Sequence, residues 1–197
     1  MKNKILLGIL SAIFIISLFV DRSFTLFITK FQNPILNQIM LAISDAGQSI
    51  SVFVVMIILT IYIVLYNKKN NKYLIPMLIT LIITNILVYF LKIGINRSRP
   101  YDSLNIKTIE TDTDFSFPSG HTNAVFSIAP FFSIFFNKLS YIWWTFAVVV
   151  AFSRIYLGMH YLSDVIFSMV LGIFIASLLI YLEDKFSLSK KLIPKWF

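Results

Sequence analysis

The sequence predicts an all-α integral membrane protein: a six-transmembrane-helix bundle with an interfacial helical segment between helices one and two. Three observations carry that prediction. Apolar residues make up 58% of the 197-residue chain and mean hydropathy is +0.83. Charged residues are only 13%, against about a quarter in soluble globular domains. The apolar residues also fall into long charge-free blocks, most of them close to the ~20 residues a helix needs to cross a bilayer. An ordinary soluble domain is excluded, and residues 1–197 read as a single membrane domain.

The first span reads from Ile5 to Val20, between Lys4 and Asp21. Lys2 and Lys4 ahead of an apolar core also resemble a signal peptide, but no small-x-small cleavage site precedes Asp21-Arg22, so an uncleaved helix is expected. Asn33-Pro34 then reads as a helix cap and first helical residue. Ile35, Leu36, Ile39, Met40 and Ile43 follow with helical period, and Gly47 can end that helix. Phe24, Phe27 and Phe31 form a similar stripe just before it. The segment fits a helix lying in the membrane interface and equally a helix packed on the bundle, since periodicity does not separate the two. The second span is expected from Ile50 to Tyr66, before Lys68-Lys69, and the third from Tyr73 to Leu91. The fourth begins near Gly120 and ends at Asn137-Lys138, the fifth runs from Leu139 to Ser153, and the sixth from Leu162 to Leu182. The first and fifth are short for a span and are expected to tilt little or to extend into the interface.

Basic residues orient the bundle. With cytoplasmic termini, that side holds Lys2, Lys4, Lys68, Lys69, Lys72, Lys138, Lys185, Lys190, Lys191 and Lys195, ten in all, against seven on the other side: Arg22, Lys30, Lys92, Arg97, Arg99, Lys107 and Arg154. Three of the seven belong to the motifs below and are needed there in any topology. Setting Lys92, Arg99 and Arg154 aside leaves ten against four, and the positive-inside rule then places both termini in the cytoplasm. The net charge of +8 is explained by these flanks. No basic run with interleaved aromatics points to nucleic acid. The chain has no cysteine, which removes disulfides, thiolate catalysis and Cys-ligated zinc.

Three short pieces carry chemistry. The first is Lys92, six residues, then Arg99-Pro100; the second is Pro118-Ser119-Gly120-His121; the third is Ser153-Arg154, five residues, His160, three residues, Asp164. Alone, Lys92 reads as a snorkelling lysine, and Arg97 and Arg99 as a basic flank. Ser119 can cap the fourth helix, Gly120 lets an anion approach the backbone, and the free N–H groups of the first turn, beside His121, make an anion seat. His160 and Asp164 lie four apart, the spacing of one helix face. A carboxylate on one imidazole nitrogen fixes the tautomer and frees the other, which describes an activated nucleophile. A His–Asp pair that merely staples the helix is the plainer alternative, but it leaves Arg154 unexplained. Arg154 offers a fork matched to phosphate oxygens. Three cations facing one space would repel a divalent metal and suit a phosphate dianion, so neither metal nor other cofactor is expected. From the residues alone either histidine could attack; the Asp164 pairing favours His160.

These pieces resemble the type 2 phosphatidic acid phosphatase (PAP2) superfamily of membrane lipid phosphatases, whose pattern is K-x6-RP, PSGH and SR-x5-H-x3-D. All three occur here in order between Lys92 and Asp164. The resemblance implies that Lys92, Arg99 and Arg154 hold the phosphate and that Ser119 and Gly120 add hydrogen bonds. It further implies that His160 attacks phosphorus to form a phosphohistidine, that Asp164 orients His160, and that His121 protonates the leaving oxygen. The expected partner is a lipid phosphate in the cell membrane, with undecaprenyl diphosphate, phosphatidylglycerophosphate and phosphatidic acid as candidates and the active site on the extracytoplasmic side. Vanadium haloperoxidases share the constellation but are soluble and much longer. A catalytically inactive lipid-binding or transport protein on the same scaffold is the alternative. The sequence assigns no oligomeric state. The loop Tyr101–Phe117 carries Asp102, Glu110, Asp112 and Asp114 and reads as a solvated acidic loop, with a lid or a filter against acidic head groups as the second reading.

Overall fold

The computed structural model describes residues 2–66 and 68–189, with side chains over 12–66 and 70–189; within these the chain is entirely helical apart from loops and turns. Helix α1 spans Lys2–Thr29, α2 Pro34–Ala46, α3 Ser49–Tyr66, α4 Leu74–Ile95, α5 Pro100–Leu104, α6 Gly120–Phe135, α7 Ser140–Tyr156 and α8 Leu162–Phe186. Short 3-10 turns at Lys68–Tyr73 and Asn137–Leu139 lead into α4 and α7. Of the lysines counted for orientation, Lys190, Lys191 and Lys195 lie outside the described residues, as do the side chains of Lys2, Lys4, Lys68 and Lys69.

Helix α1 does not stop at Val20 as expected but continues for more than two turns beyond it. Asp21, read as a polar boundary, is instead buried inside the bundle, with partners on α8 and in the loop after α4. Helix α2 starts as expected: Asn33 Oδ1 accepts from Leu36 N at 3.0 Å and Pro34 takes the first helical position. It ends at Gly47, which has an ordinary right-handed φ of −87°. The glycine is needed there for space, because a Cβ would collide with the Val150 side chain on α7. Leu36, Met40 and Ile43 pack inward while Ile35 and Ile39 remain exposed, so one stripe serves two faces.

Among the described residues, five helical segments are long and apolar enough to cross a membrane: Ala12–Thr29, Ser49–Tyr66, Asn70–Leu104, Asn137–Tyr156 and Leu162–Phe186. Their outer faces carry bare apolar side chains, such as Phe19 at 84% and Phe90 at 65% exposure, as lipid-facing helices do. The fourth expected span, α6, differs. It has 16 residues, about 24 Å of rise, against a hydrocarbon core of ~30 Å. It lies at the centre, packed by α3, α4, α7 and α8, and buries Val125, Phe126, Ile128 and Phe131. A central helix needs no lipid face and tolerates polar residues that neighbours satisfy. Ser127 Oγ lies 3.1 Å from Thr84 Oγ1 on α4. Gly172 lets α8 approach, since a Cβ there would lie 2.8 Å from Ser127 N. Pro130 removes one donor from the α6 ladder, and one turn upstream Trp143 Nε1 donates to Val125 O at 3.0 Å.

The two ends of the bundle differ chemically. At one end Lys72 pairs with Asp184 at 2.6 Å, Tyr73 donates to the same carboxylate, and Asn70 Nδ2 donates to Ile134 O at 3.4 Å. The opposite end collects the three motif pieces.

Candidate active site

Asp164 lies in the first turn of α8 with no exposed surface. Its Oδ2 accepts from Tyr161 N at 2.9 Å, so it closes the helix start on itself, and from Ser116 Oγ at 2.5 Å. Its Oδ1 accepts from Arg97 Nη1 at 2.5 Å. The other arm of that guanidinium, Nη2, reaches Asp21 Oδ2 on α1 at 2.7 Å. Asp21 in turn accepts from Ser163 N at 2.8 Å and from Ser163 Oγ at 2.5 Å. Two carboxylates therefore fill the electropositive start of α8, and Arg97, stacked 4.0 Å from the Tyr161 ring, neutralises both. Arg97 is thus no solvated flank. It bridges the helix before the first motif to the carboxylate of the third.

His160 is buried in the loop between α7 and α8. This corrects the helix-face expectation: Asp164 is on α8, but His160 precedes it. The loop is set by a reversal after α7, in which Met159 N and His160 N both reach Arg154 O at 3.1 Å. Gly158 makes the turn at a φ of +74°, a left-handed conformation that glycine adopts without strain. His160 Nδ1 lies 3.7 Å from Asp164 Oδ2, an ion-pair separation beyond hydrogen-bond reach. His160 Nε2 lies 3.5 Å from Arg99 Nη1. Guanidinium only donates, so Nε2 carries the lone pair and the ring proton belongs on Nδ1, facing the carboxylate. Burial, and then the charges of Arg99, Arg154 and Lys92, hold the imidazole well below its usual range, in the neutral form.

The cations come from three elements. Lys92 is buried in the last turn of α4. Arg99, ahead of α5, is 2% exposed and donates to Met159 O at 3.1 Å. Arg154, in the last turn of α7, is fully buried and bonds Ser44 Oγ on α2. Ser119 caps α6, its Oγ accepting from Thr122 Oγ1 at 3.0 Å. A Cβ at Gly120 would meet nothing within 4 Å, so open space lies before the first turn of α6. Arg154 Nε and Nη2, His121 Nε2 and His160 Nδ1 are buried polar atoms without a hydrogen-bond partner among the described residues. Such orphans at one end of a bundle are what a bound polar ligand would satisfy.

The acidic loop is partly solvated, as expected, but three of its carboxylates also pair with the buried cations while Asp102 stays exposed. Asp114 bonds Arg99 Nη2 through Oδ1 and lies 3.0 Å from Lys92 Nζ through Oδ2. Asp112 Oδ2 also reaches Arg99 Nη2, at 2.9 Å, and Glu110 Oε2 reaches Arg154 Nη1 at 2.9 Å. Burial pushes the Asp114 carboxyl up, but Lys92 and Arg99 outweigh it and leave the group below the usual carboxylate range. Each of these carboxylates is engaged by a protein cation, so none is left as a free ligand for a metal.

The fold is a polytopic helical bundle whose polar end gathers three cations, two histidines and a helix start. Residues 73–187, more than half of the chain, match the PAP2 superfamily, and the chain belongs to that family. A crystal structure of a transmembrane PAP2-type phosphatidylglycerolphosphate phosphatase from Bacillus subtilis is similar with a TM-score of 0.76 and 26% identity, covering 90% of this chain and 95% of that one. The structure of LpxE from Aquifex aeolicus shares the fold with a TM-score of 0.70 and 22% identity, covering 82% of this chain and 95% of that one. The bacitracin transport permease protein BcrC of Bacillus licheniformis is 38% identical over 81 residues, 41% of this chain and 40% of that protein. A lipid A 4'-phosphatase of Porphyromonas gingivalis is 36% identical over 63 residues, 31% of this chain and 27% of that one. These two alignments span less than half of each curated relative.

Two measurements check this geometry. Arg97→Ala strands two buried carboxylates, a loss worth about 3–5 kcal/mol, so it should unfold in detergent at much lower temperature than Arg22→Ala; equal melting would refute the bridge. In His121→Ala, His160 is the one remaining histidine. Its ¹⁵N imidazole shifts should still report a neutral ring at pH 6, where an ordinary histidine near 6.5 is mostly charged.

Proposed function

We propose that this protein is a membrane lipid phosphate phosphatase that hydrolyses a phosphomonoester or diphosphate of a lipid. The observation that carries the reading is the placement of the buried His160 imidazole, with Nδ1 3.7 Å from Asp164 Oδ2 and Nε2 3.5 Å from Arg99 Nη1. The relatives are consistent: the Bacillus subtilis neighbour is a phosphatidylglycerolphosphate phosphatase, and a curated relative is a lipid A 4'-phosphatase.

In this mechanism the phosphate oxygens take up the orphaned N–H groups of Arg154 together with Lys92, Arg99 and the α6 start at Ser119 and Gly120. Preorganised donors of this kind stabilise the charge that grows on the five-coordinate phosphorus. His160 Nε2 attacks phosphorus as the bond to the lipid oxygen breaks, and His121 gives that oxygen a proton. Asp164 stabilises the positive charge that His160 acquires. Water, losing its proton to His121, then cleaves the P–N bond and frees inorganic phosphate. The three cations supply the charge that a metal would supply elsewhere, so the reaction runs without one. A second reading, transport without hydrolysis, is favoured only by the name of the BcrC relative.

In this reading α6 is a sixth, central span, and the excess of basic residues on the other side supports cytoplasmic termini with the motif pieces on the extracytoplasmic face. The lipid tail stays in the bilayer, since extracting it costs about 0.8 kcal/mol per methylene, and the phosphate enters sideways.

His160→Ala should abolish phosphate release from phosphatidic acid, phosphatidylglycerophosphate and undecaprenyl diphosphate in detergent, and the parent should yield an acid-labile, base-stable phosphoenzyme. His121→Ala should lose about 10²–10⁴-fold with alkyl esters and much less with a phenolic leaving group. Turnover by His160→Ala would exclude the mechanism, and transport with no phosphate release by the parent would favour the second reading. For sidedness, Ser103→Cys should react with an impermeant thiol reagent in intact cells and Asn70→Cys should not; the opposite pattern would reverse the topology.

A further inference from the structure

The cations assigned to phosphate are already occupied. Lys92, Arg99 and Arg154 face Asp114, Asp112 and Glu110, three charges against three. The two sides of these pairs are buried very unequally. The side chains of Arg99 and Arg154 are 2% and 0% exposed, whereas Asp114 is 47%, Asp112 39% and Glu110 24% exposed. The carboxylates therefore reach in from solvent onto cations that cannot reach out. The loop is tied down at its rim, where Tyr101 donates to Asp112 O at 2.9 Å and Asp112 N donates back to the same hydroxyl at 3.3 Å. Lys92 and Arg99 also hold the backbone carbonyls of Phe115 and Asp114. Exchanging the carboxylates thus leaves the loop's main-chain anchors in place.

We propose that Glu110, Asp112 and Asp114 form an exchangeable anionic cover that makes the site selective for terminal phosphates over phosphodiesters. This rests on the phosphatase reading above. Buried cations left bare are costly, so an incoming group must replace the charge it displaces. A terminal phosphate carries about −1.5 to −2 at pH 7 with three acceptor oxygens, and a diphosphate carries more. Each bridges two or more of the cations, as Asp114 does. The diester of an ordinary bilayer phospholipid brings one negative charge and two free oxygens, and cannot offset the loss of two carboxylates. A site at the level of the head groups is surrounded by such diesters, and the cover keeps them from occupying it.

The test is equilibrium binding, so it does not depend on turnover. Inorganic phosphate and dimethyl phosphate stand in for the two classes, titrated calorimetrically into parent protein, Asp114→Asn, Asp112→Asn/Asp114→Asn and Glu110→Gln, with Asp102→Asn as an exposed control on α5. The parent should bind phosphate well and dimethyl phosphate poorly. Asp114→Asn should bind dimethyl phosphate roughly fivefold more tightly, the upper worth of a half-exposed ion pair. The double variant should gain further, so that preference for phosphate narrows, while Asp102→Asn matches the parent. Weaker binding of both anions in Asp114→Asn, or an unchanged ratio in every variant, would overturn the cover and make the carboxylates mere scaffolding for the cations. A parent that binds phosphate with this selectivity but releases none from any lipid would instead refute the phosphatase reading and leave the cover standing.

Discussion

A carboxylate with no exposed surface in the first turn of a bundle helix must find donors within reach or give up its charge. Asp164 finds Tyr161 N, Ser116 Oγ and Arg97 Nη1, and much of the polar end follows from those bonds. The Tyr161 bond caps α8, which starts at Leu162, two residues after His160. The Ser116 bond fixes the end of the acidic loop against α8. The Arg97 bond brings in a half-buried cation, whose other arm pairs with a second carboxylate, Asp21 on α1. The same bonds fix the carboxylate in place 3.7 Å from His160 Nδ1.

The three motif cations follow the same logic with a different outcome. Arg97 is neutralised by buried partners from transmembrane helices and is a permanent part of the fold. Arg99, Arg154 and Lys92 are neutralised by a loop whose carboxylates remain wet. Four basic residues at one end of one bundle thus divide into one paired with buried carboxylates and three paired with partly exposed ones.

The apolar blocks were legible in the sequence because lipid-facing helices need little more than length and hydropathy. Ser49–Tyr66, Leu74–Ile95 and Leu162–Phe186 fall close to the expected spans. Lys92, Arg99, His121, Arg154, His160 and Asp164 were legible because their spacing is fixed by chemistry. Two things were hidden. Asp21-Arg22 looks like a helix boundary, since a lone charge at membrane depth is costly, and nothing local shows that Asp21 has a partner 76 residues away. The pairing of the acidic loop was hidden for the same reason: its partners are distant in sequence, and half-exposed carboxylates have the composition of any surface loop. Arg97, two residues before Arg99, is the signal that could have been used, because a second arginine beside a motif, facing a lone upstream aspartate, invites pairing.

The helices around the site differ in length. At its far end α6 is level with the start of α4, since Ile134 O accepts from Asn70 just ahead of that helix. Helix α4 has 22 residues and α6 has 16, a difference of about 9 Å in helical rise. At the α6 start Thr122 N and Asn123 N are held by Ser119, and a Cβ on Gly120 would meet no atom within 4 Å. Lys92 lies in the last turn of α4, Arg154 in the last turn of α7 and His160 just ahead of α8. The cis bond of Phe117-Pro118 and the Ser119 cap mark the point at which the chain leaves the roofing loop and turns down into the bundle. The shortness of α6 and its central position go together: a helix packed on all sides by α3, α4, α7 and α8 needs neither the length nor the lipid-facing surface of a full span.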